Sequence, residues 1–530
     1  MTATGEPDAV EALERAFSIL TGRPDGNDLG AVVQSGRDGR FYFLNDNCWW
    51  RYVDFQCTFH ATFGWRPFTD IPKRLVEFNT WDLGFRYQAT EELIHRFREA
   101  GYPCVPPVGF LPQNAFPLDE TVIDIENFFQ NFRLTAPEWS AQSTDPYADT
   151  YHLFDKEGRH DVNCDYPLMN VITATDWLLW ERDTARAAGY CRQIEDFLAI
   201  LYGRMRGGLL LVGPQGSQIE WGHRGLRYPS STHVYLLKVL RNLREVYLML
   251  CDASAADKCA IRAEELENRM AALKHERGWW LSSLAEDGTT RLGTGELTGE
   301  SGYFEVWPNV NSVILGIATP REAEAIVGRL TSIPALVENH LTLSNYPARP
   351  VEELDDDHDG FPPPGTHLNG GWHWMHGGSA LGSLARVCHP DTIKHLQWLL
   401  DDHARHLSAD YYNDWGRDKE SQWKHLGAHG PTYSVTCAGA FGMLFRAILG
   451  VSADARGLIF SPTLPPGVDW VTLPLNYAGR SLSVTVSGKG SRISAAKLDG
   501  RPCPQHDGST LRIDHSNIPD GVRLEIRMEG

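Results

Sequence analysis

Residues 427–473, GAHGPTYSVTCAGAFGMLFRAILGVSADARGLIFSPTLPPGVDWVTL, contain the point at which the periodicity of the chain changes. From 433 to 450 the apolar residues recur at helical spacing and cover more than one face, which predicts a buried helix. Beyond Gly457, short alternating runs are separated by Gly and Pro turns, and SLSVTVSG (481–488) and VRLEIRM (522–528) keep the two-residue period. We therefore predict a helical domain over residues 1–455 and a small antiparallel β domain over residues 456–530.

The chain ahead of this point has the pattern of a succession of helices. About ten segments, from AVEALERAFSIL (9–20) to DTIKHLQWLLDDHARHL (391–407), have apolar residues three and four apart, and no strands alternate with them. Two of them, VYLLKVLRNLREVYLMLC (234–251) and SVTCAGAFGMLFRAIL (434–449), are apolar on several faces. Helices of this kind suit the inner ring of a two-layer helical barrel. The first 140 residues carry no pattern that we can place.

The composition excludes several classes of partner. Acidic residues number 68 against 49 basic ones, and the net charge of −19 leaves no basic face for a nucleic acid or an anionic membrane. The start of the chain has no signal-peptide pattern, no stretch approaches the roughly 20 apolar residues of a membrane span, and the ten cysteines have no metal-binding spacing. We predict a cytoplasmic protein with reduced thiols, no metal and no other cofactor.

Aromatic residues are abundant, with 17 Trp, 18 Tyr and 22 Phe. Aromatic side chains of this number can build a large core. They can also line a carbohydrate-binding cleft, because the apolar faces of pyranose rings stack on Trp and Tyr. Composition leaves both interpretations open.

A glutamate stands in a glycine-rich loop just ahead of a predicted helix. In GPQGSQIEWGHRGLRYPSSTHVYLLKVLRNL (213–243), Glu220 lies between Ile219 and Trp221. A carboxyl group in a desolvated aromatic setting has a raised pKa, which a proton donor needs. Glu220 is therefore a candidate general acid, and the alternative is a solvated loop residue.

Three stretches resemble the (α/α)6-barrel glycoside hydrolases and phosphorylases, a group that includes glucoamylases, α-L-rhamnosidases, and cellobiose and maltose phosphorylases. Residues 217–243 are similar to the general-acid loop of this group, and HLNGGWHWMHGGSALGSLARV (367–387) is similar to the Asn/Gly/Trp loop that opens a late barrel helix. The passage 427–473 is similar to the ends of its phosphorylases and rhamnosidases. The resemblance, over about residues 150–530, implies a mainly α fold, an (α/α)6 barrel with a C-terminal β domain, and a carbohydrate substrate.

Hydrolysis of a glycosidic bond needs two carboxyl groups in different environments. Enzymes of the group generally invert the anomeric centre, so the resemblance implies a water-activating base late in the chain. YYNDWGRDKESQW (411–423) offers Glu420 as this base and Asp414 as the second candidate, although both could be ordinary charged loop residues. With Glu220 as the acid, we expect an inverting, exo-acting glycoside hydrolase.

Sugar contacts should come from aromatic, amide and charged side chains in the same loops. Each such residue could also serve only in packing. The candidates are Trp49, Trp81, Asp82, Trp221, Arg224, Trp307, Asn311, Asn369, Trp372, His373 and Trp374.

Other functions remain possible at this stage. HGGSALG (376–382) could hold phosphate near a helix N-terminus, as an inverting phosphorylase would require. Epimerases and lyases of the same fold rely on His or Tyr/His pairs, which His373, His376, or His429 with Tyr433 could supply. A further alternative is a sugar-binding protein without activity.

Overall fold

Helices dominate the computed structural model of the protein. The structure describes residues 1–21, 32–34, 40–43, 53–69, 71–99, 106–112, 114–115, 163–213, 217, 227–299, 301–350, 369–371, 374–406, 434–503 and 506–530. The helices in these residues are α1 Pro7–Thr21, α2 Phe55–Trp65, α3 Ile71–Arg86, α4 Glu91–Glu99, α5 Asp165–Glu181, α6 Thr184–Gly203, α7 Ser230–Met249, α8 Ala253–Met270, α9 Val306–Ile314, α10 Pro320–Ser332, α11 Pro334–Glu338, α12 Trp374–Arg386, α13 Thr392–His406 and α14 Ser434–Leu449.

Within the described chain, α2, α5, α7, α9, α12 and α14 form a closed ring. Each packs against the next in this order, and α14 returns to α2. The helices α1, α3, α6, α8, α10 and α13 pack outside this ring and alternate with its members along the sequence. This is the architecture of an (α/α)6 barrel, as predicted, and α7 and α14 are inner helices because they bury nearly all of their faces.

The inner helices run in the same direction. Residues near the start of α5 bind residues near the start of α7, and Tyr235 of α7 pairs with Asn311 of α9 at the same depth. Near the other end, Asp176 of α5 binds Arg446 of α14. All six N-termini therefore lie at one end of the ring, which we call the N-terminal end.

Two inner helices approach each other through glycine. A Cβ on Gly442 of α14 would lie 2.5 Å from the carbonyl carbon of Gly64 in α2. We expect Gly442→Ala to lower the free energy of unfolding by about 1–3 kcal/mol, because the helices would have to separate. A Cβ on Gly189 of α6 would meet nothing within 4 Å. Gly189→Ala should therefore raise the free energy of unfolding by about 0.5–1 kcal/mol. Urea unfolding measures both, and equal effects would contradict the close approach.

Strands occur mainly after the barrel. They are β1 Thr2–Gly5, β2 Val32–Gln34, β3 Phe41–Phe43, β4 Val53–Asp54, β5 Asn114–Ala115, β6 Met205–Arg206, β7 Leu209–Leu210, β8 Ser283–Leu284, β9 Arg291–Leu292, β10 Phe304–Glu305, β11 Asn345–Tyr346, β12 Ser452–Ala453, β13 Gly457–Phe460, β14 Val468–Tyr477, β15 Arg480–Gly488, β16 Arg492–Leu498, β17 Arg501–Pro502, β18 Leu511–Asp514 and β19 Val522–Glu529. One sheet has the order β1-β14-β15-β19-β16-β17 and a second has the order β12-β13-β18.

The larger sheet differs from the predicted one in two respects. Its edge strand β1 comes from the start of the chain, where Thr2 pairs with Thr472 of β14. The central pair β15 and β19 is parallel, while the other neighbours are antiparallel. The sheet packs at the C-terminal end of α5, where the Trp180 indole donates to the Asn476 carbonyl at 2.6 Å. The β structure thus lies against the end of the ring opposite to its N-terminal end.

None of the helices in the described part of the chain combines the length and the apolar character of a membrane-spanning helix. The cysteines whose side chains are described carry free thiols; they are Cys164, Cys191, Cys251, Cys259, Cys388 and Cys503.

Candidate active site

The N-termini of the inner helices lie at one end of the ring, and the segments that precede these helices in the sequence contain most of the candidate residues. Most of the residues predicted to act on the substrate belong to these segments but lie outside the described residues. They are Trp49, Glu220, Trp221, Arg224, Trp372, His373, Asp414 and Glu420, together with His429 and Tyr433 of the alternative functions. Trp374 is the first residue of α12. The remaining candidates, Trp81, Asp82, Trp307, Asn311 and Asn369, are described, and so are several partners that the sequence did not indicate.

Asp165 binds hydroxyl groups from two other parts of the chain. Its Oδ2 accepts hydrogen bonds from Ser217 at 2.8 Å and from Ser231 at 2.9 Å, and its Oδ1 accepts one from Thr232. The helix cap comes from Asn163, whose Oδ1 accepts the Asp165 backbone N–H at 2.9 Å. The cap of α5 therefore lies ahead of Asp165, and the Asp165 carboxylate is used for tertiary contacts.

Glu305 is a buried carboxyl group at the start of α9. Its Oε2 accepts a hydrogen bond from the Arg349 guanidinium at 2.7 Å, and that guanidinium lies 4.4 Å from the ring centre of Tyr303. Burial raises the pKa of Glu305 to about 7 although Arg349 and Ser282 act against the shift. A carboxyl group with this pKa at the N-terminal end can hold or release a proton near neutral pH.

Asn369 holds the main chain of Arg349. Its Oδ1 accepts the Arg349 backbone N–H at 2.7 Å, and its Nδ2 donates to the Arg349 carbonyl at 3.1 Å. The side chain is fully buried. Asn369, which was predicted to bind the sugar, thus positions Arg349, the residue that pairs with Glu305.

Trp307 of α9 extends across the ring, because it contacts α2 on the opposite side as well as the neighbouring helix α12. Its ring centre is 4.7 Å from that of His60 in α2 and 4.6 Å from that of His376 in α12. All three side chains are almost completely buried, and burial lowers the pKa of His60 to about 3, so this imidazole is neutral. Asn311, one turn further along α9, donates to the Tyr235 hydroxyl at 2.8 Å. These contacts close the ring beneath its N-terminal end.

Trp81 and Asp82 lie apart from this group, in the outer helix α3. Trp81 is fully buried and packs on Trp177 and Tyr190, with ring centres 5.5 and 4.8 Å away. Asp82 accepts a hydrogen bond from Tyr190 and pairs with Arg86 at 3.0 Å. The segment predicted to be a loop is thus a helix, and the described contacts of both residues are those of packing.

The glycines of HGGSALG lie inside α12 and not ahead of it. A Cβ on Gly378 would lie 2.7 Å from the Ala440 Cα of α14, and one on Gly377 would lie 3.0 Å from the Thr342 methyl group. These glycines allow the neighbouring elements to approach. The pattern that suggested a phosphate cradle therefore has a packing role.

Among the residues that the structure describes, one group of side chains lies close enough to hold a metal ion. His275, Glu276 and Glu296 bring one ligand atom each within 4.8 Å of the others. The His275 Nδ1 accepts the Arg277 backbone N–H at 3.2 Å, so the Nε2 carries the proton that faces Glu296 at 2.8 Å. Both ring nitrogens thus have protein partners, and the group forms an ordinary ion-pair cluster.

The pH dependence of stability should differ between the wild type and Glu305→Gln. The pKa of Glu305 is raised from 4.5 to about 7 in the folded protein. The free energy of unfolding that the protonated side chain contributes is therefore fully present below about pH 4.5 and is lost as the pH rises through 7. Glutamine mimics the protonated group, so the variant should be more stable than the wild type at pH 8 by up to about 3 kcal/mol. Urea unfolding at pH 4.5 and 8 measures this, and parallel pH profiles would contradict the shift.

The C-terminal region matches a known family. Residues 452–511 match the model of the C-terminal domain of glycosyl hydrolase family 65. No curated protein sequence is significantly similar to the chain.

Several solved structures are similar to the chain at low identity. The GH78 family rhamnosidase of Bacillus sp. GL1 is 16% identical with a TM-score of 0.40, over 62% of this chain and 32% of that one. The GH63 mannosylglycerate hydrolase from Thermus thermophilus is 13% identical with a TM-score of 0.47, over 81% of this chain and 99% of that one. The rhamnosidase from Klebsiella oxytoca is 12% identical with a TM-score of 0.36, over 53% and 46%. The chain thus spans about a third of the Bacillus enzyme. The closed double ring of helices confirms the predicted (α/α)6-barrel fold, and the family 65 match over residues 452–511 supports the resemblance to the glycoside hydrolases and phosphorylases of this fold.

Proposed function

We propose that the protein is an inverting, exo-acting glycoside hydrolase whose active site lies at the N-terminal end of the inner ring. Glu220 acts as the general acid and Glu420 as the base, with Asp414 as the second candidate for the base. The observation that carries the proposal is the common direction of the six inner helices in the described residues, because Glu220 precedes α7 and Glu420 precedes α14 in the sequence. The family 65 match of the C-terminal region supports it.

Inversion requires a water molecule between the base and the sugar. Two carboxyl groups about 6.5–9.5 Å apart leave room for it, whereas a retaining pair is closer. Acid and base from two different segments, ahead of α7 and α14, suit a wide separation, because these helices are not neighbours in the ring. The released sugar should therefore carry the opposite anomeric configuration to the substrate.

The closed ring beneath the site supports exo-action. Trp307 contacts His60 across the ring and His376 on the adjacent helix, so buried side chains fill this part of the ring beneath the site. A pocket with one opening receives the end of a chain. A hexasaccharide substrate should accordingly release one terminal unit at a time.

The experiment is a panel of aryl glycosides and disaccharides, with and without phosphate, followed by NMR of the released sugar. Release of the inverted sugar without phosphate is expected. Release only with phosphate would make the protein a phosphorylase and remove the role of Glu420. Binding of a sugar without turnover would overturn the enzyme proposal.

A further inference from the structure

The segment that contains Glu220 is attached to the barrel at defined points. The Val212 backbone N–H donates to the Arg227 carbonyl at 2.9 Å, and the Arg227 N–H donates to the Leu284 carbonyl at 3.0 Å. The two ends of this segment, Val212 and Arg227, are therefore hydrogen-bonded to each other. Between them, Ser217 is fully buried and its hydroxyl binds Asp165 at 2.8 Å.

We infer that Asp165 is a positioning residue that orients the general-acid segment by accepting the Ser217 hydroxyl. The inference rests on the proposed function, because it assigns the acid role to Glu220, three residues after Ser217. It adds a residue that belongs to neither the acid nor the base. Asp165 acts through Ser217 and does not touch the substrate in this role.

The carboxylate of Asp165 is well suited to an anchor. It lies in the first turn of α5, where the helix dipole favours a negative charge. Hydrogen bonds to a carboxylate are stronger than those between neutral groups, and burial excludes competing water. Because Ser231 and Thr232 at the start of α7 also donate to it, the anchor is itself fixed between two inner helices.

The position of a general acid has a large effect on rate. The acid must lie within hydrogen-bond reach of the leaving oxygen, and a displacement of about 1 Å can lower the rate by about 100-fold. The Ser217 contact fixes the chain at a point three residues ahead of Glu220 in the sequence.

Ser217 and Ser231 provide a matched pair of variants. Both hydroxyls are fully buried and both donate to the Asp165 Oδ2 at nearly the same distance. Ser217→Ala removes the hydrogen bond between Asp165 and the acid segment. Ser231→Ala removes a link between α5 and α7 and a longer contact of 3.4 Å with the Ser217 hydroxyl, but it keeps the Ser217–Asp165 hydrogen bond. A purely structural role of Asp165 predicts the same loss of activity in both variants.

We expect Ser217→Ala to lower kcat on a glycoside with a poor leaving group at least about 10-fold more than Ser231→Ala does. The shift in Tm should be similar for the two. The additional loss should shrink for an activated aryl leaving group, because such a group departs without a proton. Equal kcat values, or a loss that is independent of the leaving group, would overturn the inference.

A second measurement does not depend on turnover. Trypsin cleaves after Arg224, which lies in the same segment, and the rate of this cleavage should rise several-fold in Ser217→Ala relative to Ser231→Ala. If the wild type hydrolyses no glycoside, the proposed function fails while the cleavage rates still test the anchor. Equal cleavage rates would overturn the anchor whether or not the enzyme is active.

Discussion

Glu220→Gln should lower kcat by about 10²–10⁴-fold on a disaccharide or on any glycoside with a poor leaving group. Glutamine has nearly the same shape but cannot donate a proton to the leaving oxygen. Because binding contacts are kept, KM should change little. The expected result is thus a loss in kcat with an intact affinity for the sugar, measured by steady-state kinetics and by calorimetric binding.

The leaving group separates the acid from the base. An aryl group with a low pKa departs as an anion without help, so Glu220→Gln should retain much more activity on dinitrophenyl glycosides than on alkyl glycosides. The base acts on water, so Glu420→Gln, or Asp414→Asn if that residue is the base, should lower kcat by a similar factor on all of them. The two roles therefore differ in how steeply kcat depends on the pKa of the leaving group, which one series of aryl and alkyl glycosides measures.

Two further glutamate variants control for this result. Glu324→Gln changes an exposed residue of the outer helix α10 and should leave kcat and stability unchanged. Glu305→Gln removes the described carboxyl group whose pKa is closest to neutral. If the dependence on the leaving group appears in Glu305→Gln and is absent in Glu220→Gln, the acid role belongs to Glu305 and our assignment is wrong.

Helices with a strong local pattern could be predicted from the sequence, and those without one could not. α10 has such a pattern, because Thr319 and Glu322 form a capping box and Pro320 opens the first turn. α9 has nine residues, contains Pro308 and is buried all round, so its sequence lacks a polar face. α2 and α3 also lack a clear apolar stripe, and their aromatic residues resembled those of a binding loop.

The chemical type of the site could be predicted, but the partners of its residues could not. Asp165 meets Ser217, and Glu305 meets Arg349, across separations of 52 and 44 residues. β1 pairs with a strand that starts at Val468. Such contacts form between residues far apart in the sequence when the rings close. They produce no repeating pattern of apolar residues from which they could be predicted. Asn369 illustrates the effect, since its amide suits a sugar hydroxyl and a backbone equally well.

Asp176→Asn should lower the free energy of unfolding by about 3–5 kcal/mol at pH 7. Asp176 is buried near the C-terminal end of the ring, where it accepts hydrogen bonds from Arg66 and from Arg446, the latter at 3.0 Å. The variant leaves these guanidinium groups without their shared anion. Glu267→Gln, which breaks the exposed pair with Arg241, should change stability by less than about 1 kcal/mol.

The stability that Asp176 provides should depend on pH in a defined window. Burial alone would raise its pKa, but Arg446 and Arg66 outweigh burial and lower it from 3.8 to about 2. A lowered folded pKa means that the contribution is complete above about pH 4 and is lost as the pH falls through 2. The wild type should therefore lose its advantage over Asp176→Asn only below pH 4, as urea unfolding between pH 2 and 7 would show.

A double-mutant cycle tests whether the three charges act together. Arg446→Met alone leaves Asp176 with one guanidinium fewer, and Asp176→Asn alone leaves Arg446 without its carboxylate. Because each single change strands a buried partner, the double variant should lose less than the sum of the two by at least about 1 kcal/mol. Additive losses would mean that the contacts stabilise the ring independently. A cooperative loss would mean that the buried pair of Asp176 and Arg446 joins α5 to α14 across the C-terminal end of the ring.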